Sequence, residues 1–353
     1  MSRRLVALAL SIALLPLAAP ARAEVSAAAA MRAEPGKVVV TWQAKGPVDV
    51  FVSDDPAADV AHATRVSDDD KDGRFEAPAD ALARPYFLLR DEADGKVTRV
   101  GERLLPLLQG SNFRDLGGYP AAGGRHVKWG LFFRSGATPL LTREDAAKIQ
   151  ALGLHEMVDL RSNEERVLAP SKIEGVEYVA VGYSMTNLMP KGAITADRMA
   201  ALYQGFPDLL KPQLKILFAD LVRGDGPVVY NCSAGQDRTG FATALILSAL
   251  GVPRDVIVAD YHLSTEYRRP EFEMPKIDPA MAASNPTAAM FASFQKDPNA
   301  AKPMPLYSAE HRSLILYALD AVEQRYGSVE AYLDKELGVS AADIEKLRAE
   351  YLE

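Results

Sequence analysis

The run Val228-Val229-Tyr230-Asn231-Cys232-Ser233-Ala234-Gly235-Gln236-Asp237-Arg238-Thr239-Gly240, prolonged to Leu250 by a mostly apolar series, decides the architecture of this chain. Its first four residues follow a Gly224-Asp225-Gly226-Pro227 turn and read as a short buried strand. Thr239 to Leu250 has the length and composition of a core helix, stopped by Gly251 and Pro253. Between them lies a loop in which five residues separate Cys232 from Arg238. Pinned between a strand end and a helix N-terminus, such a loop can aim successive backbone N–H groups at one spot and form an anion nest, with phosphate as its natural guest. The same positive field favours the thiolate of Cys232, the form of cysteine that attacks. Arg238 offers a planar fork that donates two hydrogen bonds to phosphoryl oxygens, which lysine does not reproduce. Asp237 is the candidate proton donor for the leaving oxygen, and Thr239 can donate its hydroxyl to the departing sulfur. Ser233, Ala234, Gly235, Gln236, Thr239 and Gly240 complete the substrate-binding loop. No step of this phosphoryl transfer calls for a metal or other cofactor. A nucleoside-triphosphate loop is excluded, because Gly-x4-Gly-Lys-Ser/Thr is absent.

Outward from the loop, residues 107–353 alternate helices and strands, the pattern of an α/β layer structure. Thr142 with Asp145 starts a helix that Gly153 stops, and His155 to Leu160 follows as a strand. Pro212 to Val222 is helical, and another helix runs from Pro253 through Asp260. Residues 270–308 are rich in Pro, Met and Ala with weak periodicity. From Ala309 amphipathic helices return, with Ile315, Leu319, Val322 and Tyr326 on one face. Residues 24–106 read differently. Lys37 to Trp42, Val48 to Ser53, Pro85 to Arg90 and Val97 to Leu105 are short β-rich runs between Gly, Pro and Asp clusters, which predicts a small antiparallel sandwich of fibronectin or immunoglobulin type. Asp68, Asp70, Asp72 and Gly73 match half of a calcium loop, but Ala79 stands where the closing Glu belongs, so a solvated Asp-Gly turn is the better reading.

The chain of 353 residues, 48% hydrophobic and 25% charged, suits two folded domains rather than disorder. A net charge of −7 without a long Lys/Arg run argues against a nucleic-acid partner. At the start, Arg3-Arg4, the apolar run Leu5 to Ala19 and Ala21-Arg22-Ala23 have the layout of a secretory signal peptide cleaved after Ala23. The apolar run is shorter than a spanning helix requires, so no stable membrane insertion is expected. The mature chain would then carry 37 Lys and Arg against 47 Asp and Glu. It would be periplasmic or secreted, and its lone cysteine, Cys232, has no intramolecular disulfide partner.

Cys232 to Gly240 resembles the Cys-x-x-Gly-Lys-Asp-Arg-Thr-Gly loop of the bacterial tyrosine and lipid phosphatase family typified by secreted mycobacterial protein tyrosine phosphatase B. Asn112 to Gly118 (NFRDLGG), Leu131 to Ser135 (LFFRS), Asp159 to Ser162 (DLRS), Asp255 to Tyr261 (DVIVADY) and Arg325 to Ser328 (RYGS) fit the same family in order. The similarity covers 107–353. It implies a cysteine-phosphatase α/β fold, metal-independent hydrolysis through a phosphocysteine, Asp237 as the general acid, and a helical lid, for which residues 263–308 are the corresponding stretch. Two residues depart from the family: Asn231 stands where His is usual, which points to a slower enzyme, and Gln236 replaces a Lys, which shifts the expected substrate from phosphoinositides toward phosphotyrosine. A phosphoinositide or dual-specificity phosphatase is the alternative, and a weak phosphate-recognition module the more distant one. Arg114, Asp115, Asp159 and Arg161 are read as buried ion pairs at least as readily as substrate contacts. His62, His126, His155, His262 and His311 have no metal-ligand spacing.

Overall fold

The computed structural model describes residues 25–34, 36–78, 84–185, 196–298, 302 and 305–353, so the export signal expected over residues 1–23 lies outside the described residues. The N-terminal part is a sandwich of strands β1 Ser26–Glu34, β2 Lys37–Gln43, β3 Val48–Ser53, β4 Thr64–Asp70, β5 Arg74–Pro78, β6 Tyr86–Asp91 and β7 Val97–Gly101. One sheet has the order β1-β2-β5 and the other β4-β3-β6-β7. Alternation explains the core: Val38, Val40 and Trp42 from β2 meet Val48 and Val50 from β3, Phe87 and Leu89 from β6 and Val100 from β7. The fourth strand pairs with β3 rather than with the first sheet, which is the fibronectin arrangement and not that of a constant-type immunoglobulin domain. Strands β1, β4 and β5 are additions to the sequence reading. The alanines of β1 and the acidic residues of β4 and β5 have low strand propensity, and pairing along β2 and β3 overrides it. All three are edge strands of their sheets, and β4 and β5 carry the charges that discourage further pairing. The turn between β4 and β5 is exposed, with Gly73 at φ +69.

The second part is built on a sheet of β8 Arg114–Asp115, β9 Phe132–Ser135, β10 Glu156–Asp159, β11 Glu177–Ala180 and β12 Val228–Asn231, in the order β11-β10-β12-β9-β8. Strands β9 to β12 are parallel and β8 joins antiparallel. The runs of β9, β10 and β12 are fully buried, as parallel strands covered by helices require, while the edge strand β11 is only partly covered. Phe132, Val158, Val228 and Tyr230 face the larger core, while Phe133, Met157 and Val229 face the smaller one.

The helices are α1 Arg143–Gln150, α2 Asn163–Leu168, α3 Ala196–Leu209, α4 Lys211–Arg223, α5 Asp237–Ala249, α6 Arg254–Tyr267, α7 Pro279–Ser284, α8 Pro286–Lys296, α9 Leu314–Tyr326, α10 Val329–Tyr332 and α11 Ala341–Tyr351. Helix α1 starts at the capping box that Thr142 and Asp145 announce. Helix α5 is apolar almost all round because nearly every residue of it is buried. Helix α6 runs beyond Asp260 to Tyr267, so the stretch expected as a lid from residue 263 begins inside this helix. Beyond it this stretch holds α7 and α8, and Met274, Ile277 and Ala288 pack on Leu168 and Ala169 at the end of α2, while its residues 299–301, 303 and 304 lie outside the described residues. Among the described residues no helix is long and apolar enough to cross a membrane.

The two parts share an interface. Trp129 of the second packs into the sandwich core and donates from Nε1 to the carbonyl of Arg99 at 3.2 Å. Arg84 of the first forms a 2.8 Å ion pair with fully buried Asp115.

Candidate active site

The central strand β12 delivers Cys232 to the carboxyl edge of the sheet, and α5 begins at Asp237, so the intervening loop is held at both ends by rigid elements. Gly235 has φ +65, and a Cβ there would lie 2.5 Å from the Ser135 carbonyl, so only glycine fits. The loop's carbonyls are drawn outward: that of Ser233 accepts from the Ala137 N–H at 2.9 Å, that of Ala234 from Asn112 Nδ2 at 3.1 Å, and that of Gly235 from Asn112 Nδ2 and Arg134 Nη2, both at 2.8 Å. No backbone N–H from Ser233 to Gln236 finds an acceptor among the described residues. With the carbonyls tied away, these donors are left unpaired in a loop bounded by the buried Cys232 and the first turn of α5.

The outward ties rest on a buried charge network. Asp260 on α6 accepts from Arg114 Nε at 3.1 Å and from Arg134 Nη1 at 2.6 Å. Burial opposes ionisation of Asp260, but the two guanidiniums outweigh it and hold the carboxyl far below the usual range. Arg114, Asp115, Asp159 and Arg161 are thus structural ion-pair members: Arg161 is closed on Asp159 at 2.7 Å, and Asp115 accepts from the N–H groups of Gly117 and Gly130 as well as from Arg84.

Arg238 is fixed by a residue the sequence reading passed over. Glu165 accepts from Arg238 Nη1 at 2.8 Å and Nη2 at 2.7 Å, while Ser233 Oγ donates to it at 2.6 Å. Tyr183 Oη takes the second Nη1 hydrogen at 2.7 Å. This uses both Nη1 hydrogens and one on Nη2, and leaves the Nε hydrogen and the second Nη2 hydrogen, which together form the lateral edge, without a hydrogen bond among the described residues. Burial would raise the carboxyl of Glu165, but the Arg238 charge and the Arg238 and Ser233 hydrogen bonds more than offset it and bring it down to about 2. Glu165 also closes the capping box of α2 with Ser162. Ser162-x-x-Glu165 is legible as a helix start, and nothing in that spacing announces the second duty.

The other expected residues fall around this core. Asp237 lies at the first turn of α5, and its Oδ1 accepts from the hydroxyl of Tyr203 on α3. The Gln236 side chain accepts from Arg268 Nη1 at 3.1 Å, and the Arg268 charge acts on Asp237 and Cys232. Arg268 is in turn paired with Glu273 at 2.9 Å. Gly240 lets the Tyr261 ring approach, since a Cβ there would sit 2.8 Å from that ring. The Thr239 hydroxyl is buried and has no hydrogen-bond partner among the described residues. Among the described residues the group of carboxylates close enough to share a cation, Asp49, Asp68 and Glu92, belongs to the sandwich and not to this loop.

Residues 105–353 match the model of the tyrosine phosphatase family. A Cupriavidus necator protein named as a tyrosine-protein phosphatase is 35% identical over 257 residues, 69% of this chain and 86% of that one. A tyrosine-protein phosphatase of Nostoc commune is 28% identical, covering 65% of this chain and 76% of its own. The triple specificity protein phosphatase PtpB of Mycobacterium tuberculosis is 27% identical over 67% of this chain and 95% of its own.

Proposed function

The chain belongs to the tyrosine phosphatase family, and we propose that it hydrolyses phosphotyrosine through a phosphocysteine intermediate at Cys232. The observation that supports this reading is that the N–H groups of residues 233–236 and the lateral edge of Arg238 are left without acceptors among the described residues, with the Arg238 charge close enough to act on Cys232. The N–H groups take the equatorial phosphoryl oxygens and Arg238 takes two of them in a fork, a complement that strengthens as charge develops in the transition state. The Cys232 thiolate attacks phosphorus in line, the phosphorus–oxygen bond breaks, and Asp237 gives its proton to the leaving phenolate. Water then attacks the phosphocysteine, Asp237 takes a proton from it, and the thiolate departs with inorganic phosphate as product. Glu165 does not touch substrate in this scheme; it holds Arg238 in the plane where the fork is useful. Helices α7 and α8 supply the cover, resting on the end of the helix that carries Glu165.

A second reading has one observation in its favour. Arg268 brings a guanidinium to Gln236, where the loop itself lacks a cation, and a polyanionic phosphoinositide headgroup would use that charge. The relative from M. tuberculosis is named for triple specificity. Export follows from the signal-like residues 1–23 and is tested by N-terminal mass analysis of the mature protein, which should begin at Glu24. The enzymatic reading is tested by phosphate release from phosphotyrosine, phosphoserine and phosphothreonine peptides and from phosphoinositides, with chelator present. Turnover that vanishes in Cys232→Ser supports the thiol mechanism, and the preferred substrate selects between the two readings. Folded wild-type protein that binds phosphate or vanadate but turns over none of these would make it a recognition module.

A further inference from the structure

Asp237 receives its hydrogen bond from a tyrosine that no loop motif contains. Tyr203 comes from α3 and Tyr261 from α6, and both are fully buried. The Tyr203 hydroxyl donates to Asp237 Oδ1, and the two phenol oxygens lie 2.6 Å apart. Tyr203 has one proton and gives it to the carboxylate, so Tyr261 must be the donor of the second bond, and the order of the chain is Tyr261 to Tyr203 to Asp237. The rings are locked as well: Tyr203 and Tyr261 meet edge to face with centroids 6.3 Å apart, Tyr203 packs on Phe206 at 4.8 Å, and Gly240 leaves the space that Tyr261 fills. Burial, with the Asp237 charge adding to it, keeps both phenols protonated far above their ordinary range, so they remain donors at any pH at which the protein works.

We propose that Tyr203 and Tyr261 are positioning residues for the acid step, orienting the Asp237 carboxyl so that Oδ1 is held and Oδ2 carries the transferable proton. The inference rests on the reading of Asp237 as the general acid. When Oδ2 gives its proton to the leaving oxygen, the Tyr203 bond stabilises the carboxylate that remains, and when water attacks the phosphocysteine the same geometry presents Oδ2 to accept the proton back. Both transfers conserve charge within the site and need no co-reactant.

Leaving-group dependence tests it. Phenyl phosphate releases a phenolate as basic as that of tyrosine, with a conjugate-acid pKa of about 10, and requires the proton. The p-nitrophenolate anion is a far weaker base and departs without one. The measurement is kcat/KM, which reports phosphocysteine formation, for both esters with wild type, Tyr203→Phe, Tyr261→Phe and Asp237→Asn, alongside thermal unfolding and vanadate binding. Tyr203→Phe is expected to lower kcat/KM about tenfold for phenyl phosphate and less than about twofold for p-nitrophenyl phosphate, since a misoriented acid loses only the proton-dependent part of the rate. Tyr261→Phe should act in the same sense and more weakly, and it carries the test where Tyr203→Phe does not fold. Asp237→Asn should show the same selectivity at about a hundredfold. Equal losses for the two esters in the tyrosine variants, or no loss, overturn the proposal while Asp237→Asn remains selective. An unselective Asp237→Asn overturns the general-acid reading itself.

Discussion

Glu165→Gln removes one charge and almost no volume from a carboxylate that is 1% exposed. In the native protein this carboxyl is held from 4.5 down to about 2 by Arg238 and Ser233 against the opposing effect of burial. That shift corresponds to roughly 3 kcal/mol of preference for the charged form, and because the group is buried it needs no discount for solvent screening. Glutamine also turns an amide toward the Arg238 donors, leaving the guanidinium buried and poorly paired. The expected result at pH 7 is a loss of about 3 kcal/mol in urea unfolding. A folded-state pKa below the unfolded one stabilises above pH 4.5 and is lost as pH falls through 2, so the difference between wild type and variant should shrink to less than about half at pH 3. The kcat/KM for a phosphotyrosine peptide should fall about a hundredfold, because the lateral edge of Arg238 no longer faces the nest. A variant that stays within about 0.5 kcal/mol of wild type and within twofold in kcat/KM would refute the assignment of Glu165 as the residue that holds the fork.

Other outcomes follow from the same geometry. Glu156 is buried and raised to about 8 by burial first and Asp220 second, so its ionisation costs stability progressively as pH rises from 4.5 to 8; Glu156→Gln should melt higher than wild type at pH 8 and close to it at pH 4, as scanning calorimetry would read. Gly235→Ala places a methyl 2.5 Å from the Ser135 carbonyl at φ +65 and should cost more than about 2 kcal/mol and abolish vanadate binding, both measurable by thermal shift with and without the anion. Trp129→Ala empties a site in the sandwich core and should cost about 3–5 kcal/mol, with the sandwich and the catalytic part losing protection together in hydrogen exchange.

The loop and its flanking elements were legible because strand, nest and helix are contiguous: Val228 to Asn231 is the strand that the sequence announces, and the α5 boundary moves by two residues, from Thr239 to Asp237. Thr142 with Asp145 and the Ile315, Leu319, Val322 face were legible for the same local reason. The partners of the loop are another matter. Glu165, Tyr203 and Tyr261 lie 73, 34 and 58 positions away along the chain from what they bind, Arg238, Asp237 and Tyr203 respectively, and nothing local marks them as partners. Motif matching picked out Arg114, Arg134 and Asp260, and Arg114 read as readily as a buried ion-pair member as a substrate contact, but its sharing of Asp260 with Arg134 emerges only when three separate elements bring two guanidiniums onto one carboxylate. In the sandwich, Ala27 to Ala30 and Asp68 to Asp70 became strands by pairing with neighbours, a cause outside their own side chains.

The Arg84–Asp115 pair and the Trp129 anchor bear on how such a chain is passed on. A gene fragment ending the sandwich at residue 106 would strip the counter-ion from a carboxylate next to Arg114 and turn an indole out into water. Once the two parts had grown these contacts, neither could be traded by recombination without injuring the other. The contacts therefore bind the two folds into one stability unit, so substitutions on the sandwich face toward Asp115 are felt in the other fold.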